Sequence, residues 1–364
     1  EPTQAPLQVS TPKPQNIPTK VPKPTSAPAA APGSTAGQKW LVMLYQDADD
    51  KVLEQDIYVD LNEAERVGSS DQVAIVAQLD RYRAGYTGDG DWVSAKRFYV
   101  TQDAALGRVG SAQVAALCEV NMSDAKTLID FVEWAVQSYP ADRYVLVLSD
   151  HGMGWPGGFT DASASGGSSL RAPLASKIGN MLYLTQIDAT LAQIRKDTGI
   201  DKFDIVGMDA CLMSQMEIYT ALEPHARYAV ASEEVEPALG WAYASFLGDL
   251  EKNPGMDPAE LSSLIVKSYI SEDQRIVDPE ARAEMLRQSS GFSGMFGTYG
   301  NVSSQQLASQ IGQEGTLTAV DLGQFPALLE QLNSFSYALQ GDSQALVAKA
   351  RAYTQSFTSI FGTQ

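Results

Sequence analysis

Segments typical of buried strands alternate with helical segments along most of this chain. From Trp40 onward, short runs of apolar and β-branched residues are separated by stretches with helical periodicity. Several runs are almost continuously apolar, as is typical of strands covered by helices on both faces of a sheet. The predicted strands are WLVMLY (40–45), VAIVAQL (73–79), AKRFYV (95–100), YVLVLS (144–149), FDIVGM (203–208) and RYAVAS (227–232). This alternation predicts an α/β sandwich with a largely parallel central sheet.

Helices are predicted between these strands from apolar spacing and from capping residues. The predicted helices are 124–138 with Ser123 as cap, 186–196 with Thr185 and Asp188 as a cap pair and Gly199 as stop, and 212–222. In sheets of this kind, sites form beyond the carboxyl ends of the strands. The residues that follow each strand are therefore the candidates for an active or binding site.

The bulk composition excludes several classes of partner. The formal net charge is −18, whereas binding to nucleic acid or to an anionic membrane needs clustered Lys and Arg. No run of about 18 consecutive apolar residues is present, so the sequence predicts no transmembrane segment. Because Glu1 is not a natural start, we expect that a secretion signal has been removed.

A proline-rich segment precedes the predicted sheet. Residues 1–37 hold nine of the 18 prolines in the chain, and their remaining residues are mostly small or polar. Such a segment buries too little apolar area to offset the entropy of ordering, which predicts an extended stalk. A stalk of this composition is typical of a domain displayed from a bacterial cell surface, and an unstructured terminus explains it equally well.

Two predicted strands end in residues that can carry chemistry. One runs into Asp150-His151-Gly152, and another runs into Asp209-Ala210-Cys211. A G-x-G-x-x-G pattern also begins at Gly152, but no helix is predicted after it, so it does not indicate a dinucleotide site. Of the remaining His and Cys residues, Cys118 is interpreted as structural and His225 as a surface residue.

The spacing of His151 and Cys211 favours a catalytic pair. If their two strands are neighbours, both side chains meet at one edge of the sheet. A helix beginning at residue 212 would lower the pKa of the Cys211 thiol and favour the nucleophilic thiolate. His151 can exchange protons with the thiol and with a leaving amine. The backbone N–H groups of Gly152 and Cys211 are the predicted oxyanion donors.

With these two strand-end motifs, the sequence resembles the clostripain family of cysteine peptidases, relatives of caspases, legumain and gingipains. Strand-Asp-His-Gly followed by strand-Asp-Ala-Cys carries the resemblance, which covers about residues 39 to 360. The other similar segments are WLVMLYQDADDKVLEQDIYVDLNEAERVGS (40–69), VAIVAQLDRY (73–82), ASEEVEPALGWAY (231–243) and TLTAVDLGQFPALLEQLN (316–333). The family order of these segments strengthens the match.

The resemblance implies a caspase-like α/β/α sandwich with a His151–Cys211 dyad that needs no third member. It divides the chain into a stalk (1–37), a peptidase domain (38–250) and a mainly helical C-terminal subdomain packed on the peptidase core (251–364). The implied activity is hydrolysis of protein or peptide substrates by a secreted or surface-tethered enzyme. The chain is expected to be a monomer, with no nucleic-acid partner.

The resemblance also implies cleavage after Arg or Lys, because the specificity pocket of the family is acidic. Asp209 matches one acidic position of that pocket, and Ser232 and Glu233 are assigned to substrate binding with it. Leu239 stands where a second acid is expected. Glu233, Glu234 and Glu236 are the nearby acids that would compensate.

Self-processing and calcium dependence are further implications of the resemblance. Cleavage in the 156–180 loop would give two associated chains, with Arg171 and Lys177 as the candidate cleavage sites. No cofactor is required for the chemistry, and Ca²⁺ is expected, if at all, as an activator or structural ion. The acidic segments 47–50 and 88–91 are interpreted as solvated turns.

Two alternatives remain open at this stage. One is a catalytically silent caspase-like domain for binding or adhesion, carried on the stalk. The other is a peptidase of the same fold with non-basic specificity.

Overall fold

A computed structural model of the chain describes residues 37–105, 107–161, 180–288 and 303–354. The strands are β1 (Gln38–Ala48), β2 (Val73–Arg81), β3 (Lys96–Tyr99), β4 (Ala112–Ala116), β5 (Ala141–Ser149), β6 (Gly157–Thr160), β7 (Met181–Tyr183), β8 (Phe203–Asp209), β9 (Ala226–Ser232) and β10 (Leu317–Asp321). The helices are α1 (Glu54–Glu65), α2 (Ala125–Ser138), α3 (Leu184–Thr198), α4 (Met216–Leu222), α5 (Tyr243–Lys252), α6 (Pro258–Ser268), α7 (Gln274–Val277), α8 (Pro279–Gln288), α9 (Ser304–Ile311), α10 (Phe325–Gln340) and α11 (Gln344–Arg351).

Eight strands form one central sheet in the order β10-β9-β8-β5-β1-β2-β3-β4. The five inner strands β9, β8, β5, β1 and β2 are parallel to one another. At the two edges, β10, β3 and β4 pair antiparallel to their neighbours. The predicted α/β fold with a largely parallel sheet is therefore confirmed.

Alternate side chains of the central strands enter two separate cores. On β1, Leu41, Met43 and Tyr45 pack on one face of the sheet, against helices α2, α3 and α4. Trp40 and Val42 pack on the other face, against α1, α5 and α6. Because both faces are covered, the strands read as continuous apolar runs. The result is a three-layer α/β/α sandwich.

The helix caps differ from those predicted. Asp124, not Ser123, caps α2, and its carboxylate accepts a hydrogen bond from the N–H of Lys126 at 2.9 Å. Helix α3 begins earlier than predicted, with Tyr183 as its N-cap. Gly199 ends α3 as predicted, with a left-handed φ of 78° that glycine adopts without strain.

The region after β9 returns to the sheet. Strand β10 pairs antiparallel with β9 from Leu317 to Asp321, and Leu261 and Ile265 of α6 are buried in the core beside α1. The division into a peptidase domain and a C-terminal subdomain stays a prediction, and residues 1–36 of the stalk lie outside the described residues. Within the described part of the chain, no helix is both long and apolar enough to span a bilayer.

Candidate active site

His151 and Cys211 leave neighbouring strands at the same level of the sheet. Strands β5 and β8 are parallel partners, and Ser149 is paired with Asp209. Each candidate residue therefore follows its strand by two positions, and both line one cleft. The structure thus brings together the two residues that the sequence separates by 60 positions.

Cys211 does not lie at the start of a helix, contrary to the prediction. Helix α4 begins at Met216, and Leu212 adopts a left-handed φ of 64°. Burial raises the pKa of the Cys211 thiol, and the N–H of Glu236, which donates to Sγ at 3.4 Å, opposes that shift. The nearby carboxylates also raise the thiol pKa. In the resting site the thiol form is therefore favoured.

His151 lies beside a carboxylate that the sequence did not assign to the site. Its Nε2 is 3.4 Å from Oδ1 of Asp50, a residue in the turn that follows β1. The backbone N–H groups of Val52 and Leu53 donate to the same Asp50 oxygen at 2.7 and 3.2 Å. These two hydrogen bonds hold the carboxylate in place against the imidazole.

Gly152 is required by the close approach of two chain segments. A Cβ at this position would lie 2.0 Å from the carbonyl oxygen of Cys211 and 2.8 Å from the Met213 side chain. The same segment is fixed on its other side, where the N–H of Phe159 donates to the His151 carbonyl at 2.8 Å. The glycine therefore lets the histidine and cysteine segments pack directly against each other. Its role as an oxyanion donor stays a prediction.

Three carboxyl groups line the deeper part of the same cleft. Asp209 is buried and accepts a hydrogen bond from the Tyr243 hydroxyl at 2.8 Å. Asp60 on α1 and Asp209 flank Gly240, where a Cβ would lie 2.6 and 3.1 Å from their carboxylate oxygens. Glu236 also lines this cleft. We call Asp60, Asp209 and Glu236 the acidic cluster.

Burial and mutual repulsion keep part of the acidic cluster protonated. Burial raises the pKa of Asp209 to about 6. Burial, followed by the charge of Asp209, raises the pKa of Glu236 well above its usual range. Two carboxyl groups that share a desolvated site cannot both ionise easily. Of this pair, Asp209 therefore ionises first as the pH rises, and Glu236 keeps its proton to a higher pH.

A buried arginine balances the third member of the acidic cluster. Arg275 of α7 lies 2.8 Å from Asp60 and 3.0 Å from Asp273, with all three side chains largely buried. It also donates to the carbonyl oxygen of Leu239. Because Arg275 already forms an ion pair with Asp60, Asp209 is the member of the acidic cluster whose charge is available to a ligand.

The other predicted substrate-binding residues lie away from this cleft. Leu239 turns its side chain to a small apolar cluster with Ile276 and Leu307. Ser232 is buried, and its hydroxyl lies 2.9 Å from that of Thr316. Glu233 follows it at the end of β9, and the described lining of the cleft contains neither residue. Glu236, three positions before Leu239, is the acid that this loop brings into the cleft.

The second histidine and the second cysteine differ from their interpretation. His225 is buried rather than exposed. Its Nε2 lies 2.7 Å from the carboxylate of Asp188, a residue of α3. Cys118 is exposed rather than part of the core, because it follows β4 at the outer edge of the sheet. Both thiols are free.

The acidic segment 47–50 is buried, whereas the sequence predicted a solvated turn. Asp47 still belongs to β1, and Asp49 and Asp50, which follow the strand, are also buried. Among the described side chains, no group of three or more His, Cys, Asp and Glu residues is arranged to hold a metal ion. Calcium dependence stays a prediction. Arg171 and Lys177, the candidate cleavage sites, lie outside the described residues.

Asp50 and Asp60 are the site residues that the sequence interpretation missed. Asp50 follows the carboxyl end of β1, which is the neighbour of β5, and this position was the available signal. Asp60 lies within α1, and no strand end marks it. Only the packing of α1 over the sheet brings it to Asp209.

The fold and the paired strand ends define a class of protein, the caspase-like α/β/α sandwiches with a histidine and a cysteine at one sheet edge. The family model described as the clostripain family matches residues 44–281. This chain belongs to the clostripain family. The matched segment includes His151, Cys211 and the whole acidic cluster.

Known proteins similar to this chain agree with that assignment. Clostripain from Hathewaya histolytica is 25% identical over 279 residues, which are 65% of this chain and 50% of that protein. The chain thus spans about half the length of this relative.

Two solved structures share the fold. A secreted C11 cysteine protease from Bacteroides thetaiotaomicron, bound to an irreversible peptide inhibitor, is 20% identical with a TM-score of 0.54, covering 80% of this chain and 68% of its own. A structure of iotapain from the same organism is 16% identical with a TM-score of 0.54, covering 84% of this chain and 72% of its own.

Proposed function

We propose that this protein is a cysteine endopeptidase that uses Cys211 as nucleophile and His151 as acid and base. The observation that carries the proposal is the placement of both residues two positions beyond paired strands, in one cleft above the acidic cluster. Membership of the clostripain family supports it. A binding domain without catalysis would have no need for this pair.

The chemistry follows from the state of the two side chains. Because the Cys211 thiol has a raised pKa, its proton passes to His151 as Sγ attacks the scissile carbonyl carbon. The N–H groups of Gly152 and Cys211 hold the resulting oxyanion. The C–N bond then breaks, and the leaving amine takes the proton from His151. Water, deprotonated by His151, hydrolyses the thioester and restores the thiol.

Asp50 positions the imidazole during these steps. With Nε2 directed at Asp50, Nδ1 is the atom that exchanges protons with the thiol and the amine. The carboxylate stabilises the imidazolium that forms after the first transfer. Asp50 is thus proposed as a third member of the site, which the resemblance did not require.

The acidic cluster supports cleavage after Arg or Lys. Asp209 would pair with the charge of a basic side chain, and the Glu236 carboxyl would offer it a hydrogen-bond acceptor, since Leu239 stands where a second acid was expected. The cavity at the cluster measures about 50 Å³, roughly the room that a few water molecules need. A basic side chain would enter when the 236–240 loop moves outward.

Paired cysteine variants test the proposal. We expect wild-type protein to release coumarin from peptidyl-Arg or peptidyl-Lys coumarin amides, and Cys211→Ala to release none. Cys118→Ala, which removes the other thiol at an exposed site, should retain full activity. Equal rates from wild type and Cys211→Ala would overturn the dyad. Activity on non-basic amides alone would favour the peptidase with different specificity, and no activity on any amide would favour the silent binding domain.

Secretion, self-processing and calcium stimulation belong to the same proposal. One structural relative is described as a secreted protease, which supports export of this chain. Self-cleavage near Arg171 or Lys177 would appear as two fragments in the intact mass of the wild type and as one mass for Cys211→Ala. Rates measured with Ca²⁺ and with a chelator would test the ion.

A further inference from the structure

A second cavity opens beside the His151 segment, on the side away from the acidic cluster. It measures about 570 Å³ and is lined by Trp155, Pro156, Met181, Tyr183, Leu184 and the rim residue Glu217. We call it the apolar groove. We propose that it binds a large apolar side chain of the substrate on the leaving side of the scissile bond. This inference rests on the proposed peptidase function.

The exposed aromatic rings of the groove point to a ligand. Trp155 is 62% exposed and Tyr183 is 39% exposed, although both are large and largely apolar. Concave sites lined by apolar and aromatic side chains are typical of ligand binding, and tryptophan and tyrosine dominate binding energies. An apolar side chain of the substrate that binds in the groove would remove the surface of these rings from water, which is favourable.

The groove is linked to the catalytic pair through the short chain segments that follow His151 and Cys211. Trp155 follows His151 by four residues, and Gln215 follows Cys211 by four residues. The N–H of Trp155 donates to Oε1 of Gln215 at 3.0 Å. Gly154 makes this contact possible, because it has a φ of 74° and a Cβ there would lie 2.4 Å from the Gln215 side chain. The position of Trp155 is therefore fixed relative to the dyad.

The two cavities lie on opposite faces of the sheet. The acidic cluster is built by α1 and by the loop before α5, on the face whose core includes Tyr243. The groove is built by β7 and by the starts of α3 and α4, on the face whose core includes Leu182. The dyad lies at the edge between them. A peptide with its basic side chain at Asp209 therefore leads its leaving-side residues toward the groove.

Chain length sets which residue of the substrate reaches the groove. Four residues from His151 to Trp155 span at most about 14 Å when fully extended. An extended peptide covers that distance in about four residues. The apolar side chain should therefore be one of the first four after the scissile bond. Glu217 at the rim, in a protein of net charge −18, disfavours acidic residues there.

The test uses internally quenched peptides that share one sequence up to an Arg at the cleavage site. A single Phe is moved through the first four leaving-side positions, with Ser at the others, and the reference peptide has Ser throughout. We expect kcat/KM to rise about tenfold for Phe at one position. Trp155→Ala should reduce the ratio of kcat/KM for that Phe peptide to kcat/KM for the Ser reference peptide to near one. Phe335→Ala, which removes a ring that is 59% exposed on α10, should leave the ratio unchanged.

A coumarin amide without leaving-side residues separates failure of this inference from failure of the proposed function. If the amide is cleaved and the Phe-to-Ser ratio is one, or is the same in Trp155→Ala, the inference is overturned and the peptidase stands. If wild type cleaves neither the amide nor any peptide, the proposed function falls and this inference with it. Should Trp155→Ala fail to fold, Tyr183→Ala serves as the second variant and must lower the same ratio.

Discussion

His151 lies beside the carboxylate of Asp50, in the turn that follows β1. The Asp50 carboxylate is 9% exposed and is held by two backbone N–H groups, so it faces the imidazole in a fixed position. An anion so close and so poorly solvated stabilises the imidazolium more than it stabilises the neutral ring. In the proposed mechanism this favours the form of His151 that has taken the thiol proton.

The substitution Asp50→Asn tests this role, because it keeps the shape of the side chain and removes its charge. We expect kcat to fall about tenfold, or about 1.4 kcal/mol of transition-state stabilisation, with KM little changed. The acidic limb of the pH–rate profile should move to lower pH, because the imidazolium loses its stabilising anion. Asp342→Asn, the same change at an exposed turn, is the control. If neither the pH–rate profile nor kcat changes, Asp50 only stabilises the turn that follows β1 and does not act on His151.

The elements around the cleft explain which parts of the site were predictable. The inner strands were predicted because burial on both faces leaves continuous apolar runs. Strands β4 and β10 were not predicted, because edge strands such as AQVAA and LTAVD are partly exposed and lack such runs. His151 and Cys211 were found because strand ends mark them. Asp60 lies inside a helix, where only tertiary packing gives it a role.

Tertiary pairing also explains why the helix after Cys211 begins later than predicted. The N–H groups of Leu212 and Ser214 donate to the carbonyls of Glu234 and Ser232, at 3.2 and 2.8 Å. These bonds extend the contact between the β8 and β9 segments past the sheet edge. The backbone of 212–214 is therefore occupied and cannot join α4. Local sequence favoured a helix there, and the contact with β9 overrides it.

In the proposed function, Asp209 at the end of β8 makes substrate binding depend on pH. Burial raises the pKa of Asp209 to about 6, so this carboxyl gains a proton as the pH falls through 6. We therefore expect KM for an Arg coumarin amide to rise between pH 7 and pH 5. Asp209→Asn should raise KM roughly 10- to 100-fold at pH 7, as expected for loss of a charged hydrogen bond, and should remove the pH dependence.

Two controls isolate the acidic cluster in that experiment. Glu233→Gln changes a predicted substrate-binding acid that the cleft lining does not include, and it should leave KM unchanged. A Gln coumarin amide has no charge to pair with Asp209 and should show no rise in KM between pH 7 and pH 5. A KM for the Arg substrate that is constant over this range would contradict the assignment of Asp209 as its partner.

Among the described residues of the whole molecule, buried carboxyl groups outnumber buried cationic side chains. Burial raises the pKa of Asp150 to about 7, of Glu65 to about 7 and of Asp80 to about 9. In the unfolded chain such groups titrate near 4. Between these values the folded state binds more protons than the unfolded state, so its free energy of unfolding falls as the pH rises. The net charge of −18 adds repulsion in the same direction.

Asp80 gives this effect a single-residue test. It is fully buried, and its second carboxylate oxygen finds no hydrogen-bond partner among the described residues. In the Cys211→Ala background, without divalent cations, we expect Tm to be lower at pH 8 than at pH 5. Asp80→Asn should remove up to about 4 kcal/mol of the loss in the free energy of unfolding between pH 5 and pH 8, because one group contributes about 1.4 kcal/mol per pH unit over three units. Each kcal/mol shifts Tm by roughly 2–4 °C. The exposed variant Asp142→Asn should behave as the parent. A Tm for Asp80→Asn that falls as steeply as that of the parent between pH 5 and pH 8 would show that Asp80 is already ionised in the folded protein.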